Sequence, residues 1–169
     1  MVNGKELSNR LLISMTDGSK VGEIKDIYLD QNAQVLTAVF IAKEGLLGRK
    51  KLVLPRTAIQ VLGKDAWLVG DSDSVRSFEE LESAGSYLLV GDLRGREMET
   101  VGGTKIGKVS DVIFDAQGNV MGFALGKVYI KGPLADKKRL VRSAVESLGS
   151  AENAMVVNLD KAEALDLPE

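Results

Sequence analysis

One sequence pattern occurs twice in this chain and constrains the fold more than any other feature. Residues Asp17–Asp30 read DGSKVGEIKDIYLD, and residues Gly102–Asp115 read GGTKIGKVSDVIFD. Glycines, aspartates and apolar residues coincide when the second segment is placed 85 positions after the first. The similarity resumes downstream, where RTAI at 56–59 corresponds to RSAV at 142–145. The chain is therefore a tandem duplication of a unit of about 70 residues.

The repeat defines the expected domain organisation. We expect a first unit over residues 1–72, an acidic linker over 73–90, and a second unit with a C-terminal tail over 91–169. Residues 71–100 contain eight acidic and three basic side chains, a local charge of −5. Within the linker, Ser77 and Glu80 have the spacing of a capping box and Gly85 supplies a stop, which predicts one short helix.

The repeated unit is predicted to be all-β. Its short apolar and β-branched runs are separated by Gly, Asp and Asn, which is typical of strands and turns, with tight turns at Gly18 and Gly103. Ile24 and Ile27 are three positions apart, as are Val109 and Val112. A bulge at Lys25–Asp26 and at Ser110–Asp111 would return each pair to one face. With kinks at Gly22 and Gly107, each small sheet would close into a barrel, and we expect the two barrels to pack about a pseudo-twofold axis.

Comparison of the two copies also predicts core residues and helical turns. Leu36, Ala38 and Phe40 align with Met121, Phe123 and Leu125 at the same offset, and all six are apolar. We therefore place Leu36, Phe40, Met121 and Leu125 in the core. Thr57 with Gln60, and Ser143 with Glu146, have capping-box spacing, and Gly63 and Gly149 would end these turns.

The absence of Cys and His excludes most catalytic and metal chemistry. Without them the chain has no thiol nucleophile, no imidazole base and no zinc ligand set of the usual kind. The acidic stretch from Asp71 resembles a Ca²⁺ loop only in part, since Val75 and Arg76 occupy positions that require an oxygen ligand and a glycine. We expect no metal, no cofactor and no enzymatic activity. The motif aspartates Asp26 and Asp111 are expected to cap local backbone.

Two basic loops and one apolar loop are the candidate partner-binding features. Residues 43–56 and residues 127–142 carry net charges of +4 and +5, within a chain whose net charge is −2. The sequence GLLG at 45–48 places two leucines in a glycine-flanked loop, and Trp67 is the only tryptophan. The candidate contact residues are Arg49, Lys50, Lys51, Lys137, Lys138, Arg139, Leu46, Leu47 and Trp67. Alternatively, the lysines are solvated strand edges, and Trp67 and the leucines are buried in the core or between the two units.

The motif residues resemble those of the PRC-barrel domain. They are Asp17, Gly18, Gly22, Ile24, Asp26, Ile27 and Asp30, then Pro55, Thr57, Ala58 and Ile59; the second copy has Gly103, Gly107, Val109, Asp111, Val112 and Asp115. Position 141 is Val where the first copy has Pro55. This small β-barrel is found in the photosynthetic reaction centre H subunit and in the C-terminal part of the ribosome maturation factor RimM. The resemblance implies two tandem barrels, a binding or assembly role, and a bacterial or archaeal source.

These observations favour an adaptor that binds a protein partner. The alternative is an RNA- or ribosome-associated factor that uses the basic loops. A homodimer is compatible with either. No apolar run reaches the roughly 18 residues that span a bilayer, and the N-terminus lacks the apolar core of a secretory signal, so we expect a cytoplasmic protein.

Overall fold

A computed structural model describes all residues, 1–169, as a mostly β structure with a few short helices. The strands are β1 (Val2–Asn3), β2 (Leu11–Ser14), β3 (Lys20–Glu23), β4 (Asp26–Leu29), β5 (Leu36–Glu44), β6 (Lys50–Pro55), β7 (Ile59–Leu62), β8 (Ala66–Val69), β9 (Arg76–Ser77), β10 (Leu88–Leu89), β11 (Glu97–Thr100), β12 (Lys105–Phe114), β13 (Val120–Val128), β14 (Arg139–Val141), β15 (Val145–Ser147) and β16 (Met155–Val157). The α-helices are α1 (Gly4–Leu7), α2 (Val90–Leu93), α3 (Pro133–Lys137) and α4 (Leu159–Ala164). No helix is long and apolar enough to cross a membrane.

Three sheets contain these strands. The first repeat contributes a sheet of order β3-β2-β8-β7 and a sheet of order β10-β4-β5-β6-β9. In the second repeat, one sheet of order β14-β13-β12-β11-β16-β15 also receives β1 along β12. Hydrogen-bonded pairing closes none of these sheets on itself, so the two closed barrels stay a prediction.

The predicted irregularity of the long motif strand is present in both copies. In β12 the register shifts between Val109 and Asp111, which leaves Ser110 as the extra residue. In the first copy, the strand is interrupted between β3 and β4. There the Lys25 N–H donates to the carbonyl of Phe40, the residue that also pairs with Asp26. The preceding turns have positive φ at Gly18 (72°) and Gly103 (85°), as predicted.

The two repeats exchange their first segments. Strand β1 of the first repeat pairs with β12 of the second, with Val2 opposite Phe114. Strand β10 of the second repeat pairs with β4 of the first, with Leu88 opposite Leu29. We call Val2–Leu7 the N-terminal arm and Leu88–Leu93 the second arm. Each arm thus completes the sheet of the other repeat, and β10 lies within the segment predicted as linker.

A single hydrophobic core follows from this exchange. One cluster of 30 buried residues contains Leu12 and Trp67 from the first repeat together with Met98 and Phe123 from the second. The turns between the motif strands also meet, since Val35 forms a β-bridge with Asn119. The Arg142 guanidinium donates to the carbonyls of Asn32 and Ala33 across this junction. The two repeats therefore pack on each other through a shared core, while the pseudo-twofold axis stays a prediction.

Two of the four residues predicted for the core are not in it, and the different lengths of two turns explain why. The turn after Asp30 is one residue longer than the turn after Asp115: the Asp30 N–H donates to the carbonyl of Val35, five positions on, whereas the Asp115 N–H donates to that of Asn119, four positions on. Beyond the turn the copies therefore match at an offset of 84, with Val39 equivalent to Phe123 and Ile41 to Leu125. Leu36 and Leu125 are in the main core, as predicted.

Phe40 and Met121 were predicted to be in the core and are not in the main cluster. Phe40 is half-buried on the outer face of its sheet, beside a second cluster of Tyr28, Ala38 and Val53. Met121 is also half-buried and lines a surface hollow with Leu167. Their strands present Val39, Ile41 and Phe123 to the main core instead.

The predicted capping boxes are also wrong. The helical turns occur, but as 3₁₀ turns at Arg56–Ala58 and Arg142–Ala144, so Thr57 and Ser143 lie inside them instead of preceding them. Short β-strands separate these turns from Gly63 and Gly149, which therefore do not end them. In the linker, two 3₁₀ turns, Phe78–Glu80 and Ala84–Ser86, replace the single helix.

The linker and the C-terminal tail cover corresponding outer faces. In the first repeat, the Phe78 ring stacks on Tyr28 with 4.6 Å between centroids. In the second repeat, Leu167 is buried, and a β-carbon added at Gly122 would lie 3.1 Å from its Cδ2 atom. Each segment follows β8 or β16 and returns over the sheet of its repeat, so the linker is docked through β9 and its apolar side chains.

Candidate interaction surfaces

The motif aspartates hold the exchanged arms. Asp111 is buried; its Oδ1 accepts from the Val112 N–H at 2.9 Å, and its Oδ2 accepts from the Lys5 N–H of the N-terminal arm at 2.8 Å. Arg94, the residue directly after the second arm, pairs with Asp111 at 3.0 Å. These contacts bring both arms to one carboxylate near the junction of the repeats.

Asp26 has the equivalent position in the first copy, but it lacks an ion-pair partner. Its Oδ1 accepts from the Ile27 N–H at 2.8 Å, and the second arm approaches its other oxygen at Gly91. No cation forms an ion pair with Asp26, and burial raises the pKa of this carboxyl. The local capping predicted for both aspartates is confirmed, and the contacts of both across the junction were not apparent from the sequence.

The first basic loop ends in an exposed leucine pair. Leu46 is 85% exposed and Leu47 is 80% exposed, on the 3₁₀ turn between β5 and β6. Positive φ at Gly45, Leu47 and Gly48 gives a tight turn that directs both side chains into solvent. We call residues 45–48 the leucine tip. Burial between the units, the alternative considered for these leucines, does not occur.

Basic side chains follow the leucine tip along β6. Arg49, Lys50 and Lys51 are exposed, and the Lys50 Nζ lies 4.0 Å from a Glu44 carboxylate oxygen. Lys51 is 5.7 Å from the centroid of the Phe78 ring on the docked linker. An open groove beside Arg49 and Lys50 is also lined by the linker carboxylates Glu79 and Glu80. The acidic linker therefore lies next to this basic loop.

The second basic loop is divided between structural and free cations. Lys137 donates to the carbonyl of Glu163 and pairs with Asp166 at 2.8 Å, so it anchors the C-terminal tail. This contact lowers the pKa of Asp166, through the hydrogen bond from Lys137. Lys138 and Arg139 are exposed and form no ion pair. Lys138 has φ 51°, at the end of α3.

Tyr129 is a feature of this second loop that the sequence did not single out. Its ring is 41% exposed, with the Lys127 Nζ 5.8 Å from the centroid. Its hydroxyl donates to Glu97 at 3.3 Å. No hydrogen bond or ion pair joins this loop to the first basic loop.

Trp67 is part of the core. It is 2% exposed, and it lines a cavity of about 40 Å³ between the repeats with Val2, Leu36 and Phe114. Burial was one of the alternatives considered for this residue, and in this position its side chain offers no surface to a partner.

The largest groove, of about 810 Å³, is open and lined by charges of both signs, including Arg94, Arg96, Glu99 and Glu152. No cluster of three or more potential metal ligands is present. Asp71 accepts the Asp73 N–H at 2.8 Å in an ordinary turn.

Comparison with known proteins agrees with the repeat. The sequence model of the PRC-barrel domain matches residues 1–74 and residues 87–163, which is most of the chain in two segments. No curated protein matches the sequence significantly. The chain belongs to the PRC-barrel domain family, with two tandem copies of the domain.

Proposed function

We propose that this member of the PRC-barrel family is a non-catalytic adaptor, which binds a protein partner through the basic loop of its second repeat. The observation that carries the proposal is the exposure of Lys138 and Arg139 without ion-pair partners, next to Lys137, which is fixed by its contact with the C-terminal tail. Tyrosine and arginine are enriched among the residues that dominate protein interfaces, and Tyr129 lies in the same connection.

The rest of the molecule supports a scaffold in preference to a catalyst. The two motif carboxylates are occupied with backbone N–H groups, and Asp111 is also paired with Arg94. The exchange of arms fixes the two repeats relative to each other, so a bound partner would be held in a defined orientation.

Affinity capture tests the proposal. The tagged protein is recovered from its native lysate, with and without RNase, and co-purifying proteins are identified by mass spectrometry. The test variant is Lys138→Glu with Arg139→Glu. The control is Lys64→Glu with Lys161→Glu, which changes the net charge equally at two other exposed lysines. Lys137 is left intact because it anchors the tail.

We expect a partner that survives RNase, is lost from the test variant and is retained by the control. Partners that vanish on RNase treatment would favour the RNA- or ribosome-associated function, since phosphate contacts also require free cations. Equal capture by both variants would refute the assignment of this loop. Light scattering on the purified protein tests self-association separately, because a homodimer would double the measured mass.

A further inference from the structure

The leucine tip presents an apolar surface that nothing in the chain covers. Leu46 and Leu47 are the two most exposed large apolar side chains of the protein. The tip is a narrow protrusion, since β5 and β6 are paired up to Glu44 opposite Lys50, directly below it. Two neighbouring leucines on a convex turn cannot be buried by a small rearrangement of their surroundings.

The composition of the tip favours lipid over a protein pocket. Leucine is under-represented among the residues that dominate protein interfaces, where Trp, Tyr and Arg prevail. Aliphatic side chains beside Lys and Arg are typical of segments that lie at a membrane interface. There the apolar groups enter the acyl boundary while long cationic side chains reach the headgroups.

The charges of the hairpin complement an anionic surface. Lys43, Lys50 and Lys51 lie on the two strands that carry the tip, and Arg49 directly follows it. Glu44 is the one acidic residue among them. Glu79 and Glu80 of the linker lie across the groove from Arg49 and Lys50 and reduce this attraction. The contact should therefore be weak, and it should need both the leucines and the lysines.

We propose that the leucine tip inserts into the interface of a membrane whose surface carries anionic lipid. This inference is independent of the protein contact assigned to the second repeat. Together the two would let the chain bring a protein partner to a membrane surface, with one repeat facing each.

Vesicle co-sedimentation of the full chain tests the inference. The probes are vesicles of pure phosphatidylcholine and vesicles in which about a third of the lipid is phosphatidylglycerol. The test variant is Leu46→Ser with Leu47→Ser, and the matched control is Val61→Ser, which removes another exposed apolar side chain, on β7 and outside both basic loops. Circular dichroism confirms that each variant is folded.

We expect the wild-type chain and the control to bind the anionic vesicles and to release them in high salt. The double serine variant should bind at least about tenfold more weakly, because burial of apolar side chains is the source of insertion. No binding to anionic vesicles by the wild type, or equal binding by the double serine variant, would overturn the inference. Loss of a captured protein from the double serine variant, without lipid binding by the wild type, would assign the tip to a protein partner instead.

A direct measurement of insertion accompanies the binding assay. Trp67 is buried, so Leu47→Trp adds the only solvent-exposed indole. Its emission should shift to the blue on addition of anionic vesicles and should be quenched by brominated acyl chains. Unchanged emission at saturating lipid would exclude insertion, whatever the sedimentation result.

Discussion

The two motif aspartates provide a matched pair of sites, and Asp111→Asn is the informative perturbation. The carboxylate receives hydrogen bonds from Val112 and from Lys5, together with two from Arg94, at 3.2 Å (Nε) and 3.0 Å (Nη2). Asparagine retains one acceptor oxygen and points an NH₂ group at a donor. The substitution also leaves the Arg94 guanidinium without its partner charge.

The magnitude follows from burial. Removal of one partner from a buried ion pair typically costs 3–5 kcal/mol. The side chain of Asp111 is 4% exposed, but that of Arg94 is 27% exposed, so water can solvate the cation in part. We therefore expect Asp111→Asn to reduce the free energy of unfolding by about 3 kcal/mol.

Asp26→Asn is the control, because at this position the loss of the negative charge should favour the folded state. Asp26 has no ion-pair partner, and burial raises its pKa, so its charge is unfavourable in the folded state at neutral pH. Asparagine keeps an acceptor for the Ile27 N–H. Loss of the second oxygen costs about 1 kcal/mol, which relief of the buried charge offsets, so the net change should stay within about 1 kcal/mol.

Urea unfolding measures both values. Fluorescence of the buried Trp67 and far-ultraviolet circular dichroism report the first repeat and the whole chain, respectively. A common core predicts that both signals change together in one transition. If Asp111→Asn and Asp26→Asn destabilise the protein equally, the reasoning from the Arg94 ion pair and the exchanged arms is refuted.

Three further predictions follow from the same structure. Burial raises the pKa of Asp26 from 3.8, so the free energy of unfolding of the wild type, relative to that of Asp26→Asn, should fall as the pH rises from 3.8 through the folded pKa. Urea titrations of both proteins across this range measure the difference, and a constant difference would contradict the prediction. Gly91→Ala should lower the melting temperature, since its β-carbon would lie 2.5 Å from Asp26 Oδ2, whereas Gly85→Ala, with no atom within 4 Å, should not. Lys137→Ala should increase the rate of proteolysis of the C-terminal tail at Glu163–Asp166, measured by limited digestion and mass spectrometry. Lys161→Ala, on the same tail but without an ion pair, should leave this rate unchanged.

The features that could be predicted from the sequence are those for which both copies have the same residue types at equivalent positions. The duplication, the glycine turns, the bulge at Ser110 and the capping by Asp111 could all be inferred because local chemistry determines them. The prediction of the core face was wrong for the strand after the Asp30 turn, because the turns of the two copies differ in length by one residue. A shift of one position moves every side chain of a strand to the opposite face.

Contacts between the repeats could not be predicted from either repeat alone. Val2 lies at the start of the predicted first unit and Leu88 lies within the predicted linker. No local signal indicates that each of them pairs with a strand of the other repeat. The burial of Trp67 was open for the same reason. By contrast, the leucine tip was identified from its glycine flanks, but only the structure showed that its side chains are fully displayed.

The exchange of arms has a consequence for behaviour on dilution. Two separate chains that completed each other in this way would form an obligate dimer, whose stability falls as protein concentration falls. Here the linker that follows Val69 joins both halves, so each arm meets its site at an effective concentration set by the tether, not by the amount of protein in solution. Each half is thus completed by the arm of the other at any concentration, while the surfaces of the two halves are free to differ: the first carries exposed leucines, and the second carries an exposed tyrosine and arginine.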